Sequence, residues 1–86
     1  MSWRIEFTEE AAACLKRLGP HLQRCVLRKL EWIADNFASI TPEPLSGTLS
    51  NFFKLRVGAY RVIYTTDDSK QVLFVHLVGH RSEIYQ

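Results

Sequence analysis

Midway along the chain the spacing of apolar side chains changes from three-or-four to two, and that switch limits what the chain can become. Before it, Leu22, Val26, Leu30, Ile33 and Phe37 recur on a single helical face. After it, Phe53, Leu55 and Val57 alternate with Phe52, Lys54 and Arg56, the period of a strand with one face covered. The stretch between them, ASITPEPLSGTLS over residues 38–50, holds two of the three prolines and a Ser-Gly step, so it reads as a loop. Helices followed by strands are the order of an α+β fold.

The remaining elements fit that frame. Trp3, Ile5 and Phe7 alternate with Arg4, Glu6 and Thr8, which predicts a half-buried first strand. Thr8 is suited to cap the next helix, with Glu9 and Glu10 at its positive end. Ala11, Leu15 and Leu18 give that helix its apolar stripe. Gly19-Pro20 ends it and starts the second helix, whose face Leu27 and Trp32 flank. Gly58-Ala59 predicts a hairpin turn, Tyr60 to Thr66 a strand, and Asp67-Asp68-Ser69 another turn. QVLFVHLVG over residues 71–79 is apolar on both parities, as in a central strand covered on both faces. The expected fold is an N-terminal strand, a helical hairpin and a three-stranded antiparallel meander, with the helices on one face of the sheet. Eighty-six residues allow one domain, so residues 1–86 are taken as a single unit.

Composition excludes several classes. The chain is 47% hydrophobic and 23% charged, ordinary for a globular domain, and no apolar run is long enough to span a membrane. MSWRIEFTEE carries acids where a secretory leader has its apolar stretch, so a cytoplasmic protein is expected. Two cysteines, Cys14 and Cys25, are too few for a disulfide framework. A helical hairpin brings them toward each other, but small buried thiols are the default.

Net charge is only +2, yet residues 52–64 contain Lys54, Arg56 and Arg61 and no acid. If Phe53, Leu55 and Val57 face the helices, alternation puts Lys54, Arg56 and Arg61 on the other face. His76 and His80 share one parity of the last strand, and Arg81 lies at its end beside Ser82, Glu83, Ile84 and Tyr85. The sequence has no HxxE or CxxC spacing for a metal, no Gly-rich phosphate loop and no serine elbow. Cations with aromatics and no metal site suit binding or cleaving single-stranded RNA. Plainer roles exist for each residue. Arg61 pairs as readily with Asp67 or Glu43, Arg81 with Glu83, and His76 reads as a hydrogen-bonded structural residue. Trp3 and Trp32 read as packing residues. Lys16, Arg17, Arg24, Arg28 and Lys29 read as a solvated face, or as a contact for ribosomal RNA or an acidic protein segment.

Lys54-Leu55-Arg56, Tyr60-Arg61-Val62-Ile63-Tyr64 and the ending Val78-Gly79-His80-Arg81-Ser82-Glu83-Ile84-Tyr85 resemble the RelE branch of the RelE/ParE toxins, the toxin halves of toxin–antitoxin pairs. The resemblance extends over the whole chain in element order and length. It implies a translation inhibitor that cuts messenger RNA in the ribosomal A site without a cofactor. The 2′-OH would attack the adjacent phosphate, giving a 2′,3′-cyclic phosphate and a free 5′-OH. By motif position it assigns Arg61 and Arg81 to the phosphorane and leaving group, Lys54 to a catalytic lysine, Arg56 to a neighbouring RNA-binding position and Tyr85 to the substrate base. Phe52 stands where a second lysine can occur, which makes His80 the attractive acid–base group. The resemblance further implies an antitoxin partner that wraps the toxin, with operator DNA bound through that antitoxin. Two other functions share the fold: a ParE-like inhibitor of DNA gyrase that acts by binding, and a non-catalytic relic that only binds antitoxin.

Overall fold

Thr8 is where the chain leaves its first strand and enters its first helix. Strand β1 (Arg4–Phe7) ends there, and the Thr8 hydroxyl accepts the Ala11 N–H at 3.1 Å to open α1 (Glu9–Lys16). Such a cap is worth about 1 kcal/mol, because it satisfies a helix-end donor that has no partner within the helix. Helix α2 (Pro20–Asp35) starts on proline, whose missing N–H is not needed in a first turn. It buries Val26, Leu30, Ile33 and Ala34 along one side, as its spacing requires. A single 3-10 turn, Phe37–Ser39, follows.

The computed structural model describes residues 3–44, 52–80 and 82. Within them both helices pack on one face of a five-stranded sheet, in the order β1-β5-β4-β3-β2. The meander expected from the second half is present as β3 (Phe53–Val57), β4 (Tyr60–Asp67) and β5 (Val72–His80), each antiparallel to the next. Gly58, in the first hairpin turn, takes φ +59°, which suits the tight loop that joins β3 to β4. Two features go beyond the expected order. The loop region contributes a two-residue edge strand, β2 (Glu43–Pro44), antiparallel to β3; proline is tolerated there because an edge residue need not donate to the ladder. The first strand pairs with the last, β1 lying parallel to β5 with Ile5 beside Leu73 and Phe7 beside Val75.

The core lies between the helices and the sheet. Ala11, Cys14, Val26, Leu30, Ile33 and Ala34 from the helices meet Leu55, Val62, Tyr64, Leu73, Val75 and Val78 from the strands. Strand β5 is interior, as its apolar run implied, but helices cover only one of its faces. On the other, Leu77 joins Ile63 and Phe52 in a second, smaller apolar cluster. Trp3 stacks on Phe37 with ring centroids 4.3 Å apart, a packing role. Trp32 does not pack as expected: it is 55% exposed.

One irregularity bears on function. Ile63 pairs with Leu77 and Tyr64 with Val75, so His76 is an extra residue that faces no partner of its own on β4. This β-bulge resets the alternation of β5 in mid-strand.

Candidate functional site

Residues directly opposite in an antiparallel pair share a face, so the register lays out the helix-free side of the sheet in rows. One row runs Arg56, Arg61, Gly79 across β3, β4 and β5. The next, two residues along each strand, runs Glu43, Lys54, Ile63, Leu77. Lys54, Arg56 and Arg61 therefore share the face away from the helices, as alternation predicted.

The Arg56–Arg61 pair is the least expected arrangement in the sheet on stability grounds. Like charges directly across two strands repel and weaken the pairing. Gly79, the third member of the row, puts no side chain beside Arg61. Two arginines at paired positions next to a glycine suit anion binding, because an incoming phosphate relieves the repulsion and accepts from guanidinium forks. Lys54 is held differently. Its Nζ lies 3.4 Å from Glu43 Oε2, and its side chain is only 14% exposed. The β2 edge strand thus positions the lysine by setting Glu43 directly across from it.

The two histidines part company. His80 pairs with Tyr60, one residue from the Arg61 row and on the opposite face, and its ring meets the Tyr60 ring edge-on at 5.4 Å. Its Nδ1 accepts the Ser82 N–H at 3.2 Å and lies 2.8 Å from the Ser82 hydroxyl. An accepting Nδ1 places the proton of the neutral ring on Nε2. His76, by contrast, lies on the cation face, where the bulge sets it beside Leu77. Its Nε2 lies 2.8 Å from Thr65 Oγ1, and its ring meets Phe52 edge-on at 5.2 Å. The shared parity expected for the two histidines is broken by the one extra residue between them. Arg81 and Tyr85, the other predicted site residues, lie outside the described residues. Among the described residues no cluster of three or more His, Cys, Asp or Glu is placed to hold a metal ion.

A second surface lies beside the helical hairpin, where the sequence left Arg28 and Lys29 open to an acidic segment; what sequence reasoning missed there is Trp32. A trench of about 510 Å³ runs between α2 and the β3–β4 turn, lined by Cys25, Arg28, Lys29, Trp32, Arg56 and Val57 among others. Trp32, Lys29 and Arg56 also line an adjoining hollow of about 290 Å³ that reaches Glu43 and Lys54. The exposed Trp32 was the signal, since its position flanking the apolar face of α2 left it free to project from the core. Both cysteines are free thiols; Cys14 is buried, and Cys25 Sγ lies 3.7 Å from His21 Nε2 at the trench. No helix among the described residues is long and apolar enough to cross a membrane.

Similar chains with the same fold occur among known proteins. A family profile described as "ParE toxin of type II toxin-antitoxin system, parDE" matches residues 5–85. Toxin RelG of Mycobacterium tuberculosis is 28% identical over 86 residues, covering 100% of this chain and 99% of that protein. The mRNA interferase toxin RelE of Escherichia coli K12 is 32% identical over 88 residues, covering 99% of this chain and 92% of that one. The toxin–antitoxin complex RelBE2 of Mycobacterium tuberculosis includes a chain that superposes with a TM-score of 0.83 at 25% identity, covering 95% of this chain and 94% of that one. A profile spanning nearly every residue, relatives matched end to end and a closely superposing structure agree on one assignment: the chain belongs to the RelE/ParE superfamily, the toxins of type II toxin–antitoxin systems.

Proposed function

We propose that this toxin is a ribosome-dependent endoribonuclease that cuts messenger RNA in the A site and needs no metal. The observation that carries the reading is the Arg56–Arg61 pair beside Gly79 on the open sheet face, with Lys54 in the next row. In the reaction the substrate 2′-oxygen attacks the adjacent phosphorus as its proton leaves to a base. The P–O5′ bond then breaks, and the departing oxygen takes up a proton, leaving a 2′,3′-cyclic phosphate and a 5′-OH. Arg61 and Arg56 stabilise the charge that gathers on the phosphorane oxygens. Lys54 serves the same centre from the neighbouring row, and Arg81 and Tyr85 serve the leaving oxygen and the base. His80, on the other face beside Tyr60, supplies proton transfer only by way of the end of the strand, where Ser82 holds its ring. The likeness to the RelE mRNA interferase favours this reading over gyrase inhibition.

Residues 1–86 act as one domain in the cytoplasm, and a cognate antitoxin silences it and carries the pair to operator DNA. The complex with antitoxin solved for the Mycobacterium tuberculosis relative supports that partner. The trench beside Trp32 is the surface for it, since Arg28, Lys29 and Arg56 suit an acidic segment with an apolar side chain.

The test is to map messenger 5′ ends in a reconstituted translation reaction with and without ribosomes. Cuts should appear only on translating ribosomes, and Arg61→Ala should slow them by about 10²–10³-fold. Intact message together with blocked supercoiling by gyrase would overturn the reading.

A further inference from the structure

The bulge in β5 does something to the open face that the cations alone do not explain. Counted from Leu73 and Val75, which are buried under the helices, His76 falls on the open face and Leu77 would return to the helix side. The bulge instead keeps Leu77 on the open face, where it packs on Ile63, so His76 and Leu77 stand side by side there. The displacement is braced from the other strand. Thr8 N–H donates to the Val75 carbonyl at 3.0 Å, and its hydroxyl lies 3.5 Å from the His76 carbonyl. Thr65 fixes the imidazole through Nε2 at 2.8 Å, and Phe52 holds its ring edge-on. Bulges recur beside functional sites because they re-aim one side chain without disturbing the rest of the strand.

What results is an aromatic pair on an apolar bed. Phe52 and His76 are both half-buried, and Phe52 rests by Ile63 and Leu77. They lie one row beyond Lys54 and two beyond Arg61, about 7 Å per row at strand spacing. A cation row for phosphate followed by aromatic rings for a base is how unpaired RNA is gripped. Phe52 occupies the place of a residue expected to be charged, which is consistent with a face used here for stacking.

We propose that Phe52 and His76 form the base-recognition platform of this toxin, contacting a nucleotide next to the one cut and contributing to the choice of cleavage position. The proposal rests on the ribonuclease reading above. Phe52 offers ring surface, while His76 adds a polar ring edge that tells bases apart. Both contact the substrate, and neither carries the proton transfers of the reaction.

The test measures steady-state cleavage and maps cut positions on programmed ribosomes for the wild type, Phe52→Ala, His76→Ala and His76→Phe. Stacking lost from one base is worth about 5- to 100-fold, and that loss should fall mainly on KM for both alanine variants. His76→Phe should restore most of the affinity but relax the preference among cut positions. Retained tight antitoxin binding and an unchanged melting curve would show that the variants are folded. Should His76→Ala prove unstable, Thr65→Val, which only releases the ring, should broaden the cut positions with a smaller rise in KM. Alanine variants with wild-type KM and wild-type positions would overturn the platform while leaving the ribonuclease reading intact. A loss confined to kcat would overturn it too, by giving His76 a proton-transfer role. A wild type that leaves ribosome-bound message uncut would remove both.

Discussion

Tyr64 shows how a single buried group sets a limit on the whole toxin. It is among the most deeply buried side chains of the core, and burial pushes its phenol up to about 12. The unfolded chain ionises first, near the ordinary tyrosine value of about 10, so folding becomes linked to pH. The contribution is whole below about pH 10 and declines as pH climbs toward 12, at up to ~1.4 kcal/mol per pH unit. Urea unfolding of Tyr64→Phe between about pH 9 and 11 should lose that alkaline decline. A mutant that weakens as steeply as the parent would trace the decline to other groups. The cations are easier to read at this scale than the histidines. Lys54, Arg56 and Arg61 sit where simple alternation sends them, because β3 and the first half of β4 are regular.

At the scale of elements, parity fails where a strand gains a residue. Nothing in QVLFVHLVG marks His76 as extra, since bulges arise from packing against β1 and α1 rather than from a local signal. His76 and His80, which counting would put on one face, therefore lie on opposite faces. Turns are more legible. In the β4–β5 turn Asp67 accepts from the Ser69 hydroxyl at 2.8 Å and from the Lys70 N–H at 3.1 Å, and these bonds hold its carboxyl below the usual carboxylate range. That support is present above the ordinary carboxylate range and is lost on acidification. Directly after Lys70, Gln71 takes φ +55°, a left-handed conformation that suits glycine. Glycine relieves that strain but adds flexibility to the unfolded chain, so Gln71→Gly should gain about 0.5–1 kcal/mol. Calorimetry should show a rise of roughly 2–8 °C in Tm. A lower Tm would mean that the glutamine side chain holds the turn.

For the molecule as a whole, helices, meander and the face that carries the cations were legible because each leaves a local period. The closing pair was not. A parallel contact between Arg4–Phe7 and Val72–Val75 joins the two ends of the described chain, and neither segment carries a mark of its partner. Trp32 escaped for a related reason: a ring on the margin of a helix face is buried or exposed according to what the rest of the molecule brings beside it. Strand β5 pairs with both β1 and β4, so it holds the two halves of the sheet together. A chain ending at residue 71 should therefore show no cooperative unfolding in urea by circular dichroism. A clear transition in that fragment would mean that the hairpin and helices fold without the central strand.

The position of β5 also has a consequence in time. Among the described residues it is the last strand to be synthesised, yet it lies inside the sheet. It brings Gly79 beside Arg61 and carries the bulge that keeps Leu77 on the open face beside His76. A nascent chain has neither feature until this strand has emerged and inserted between its neighbours. The cation row is thus completed only when β5 enters the sheet, so this face is among the last parts of the fold to form.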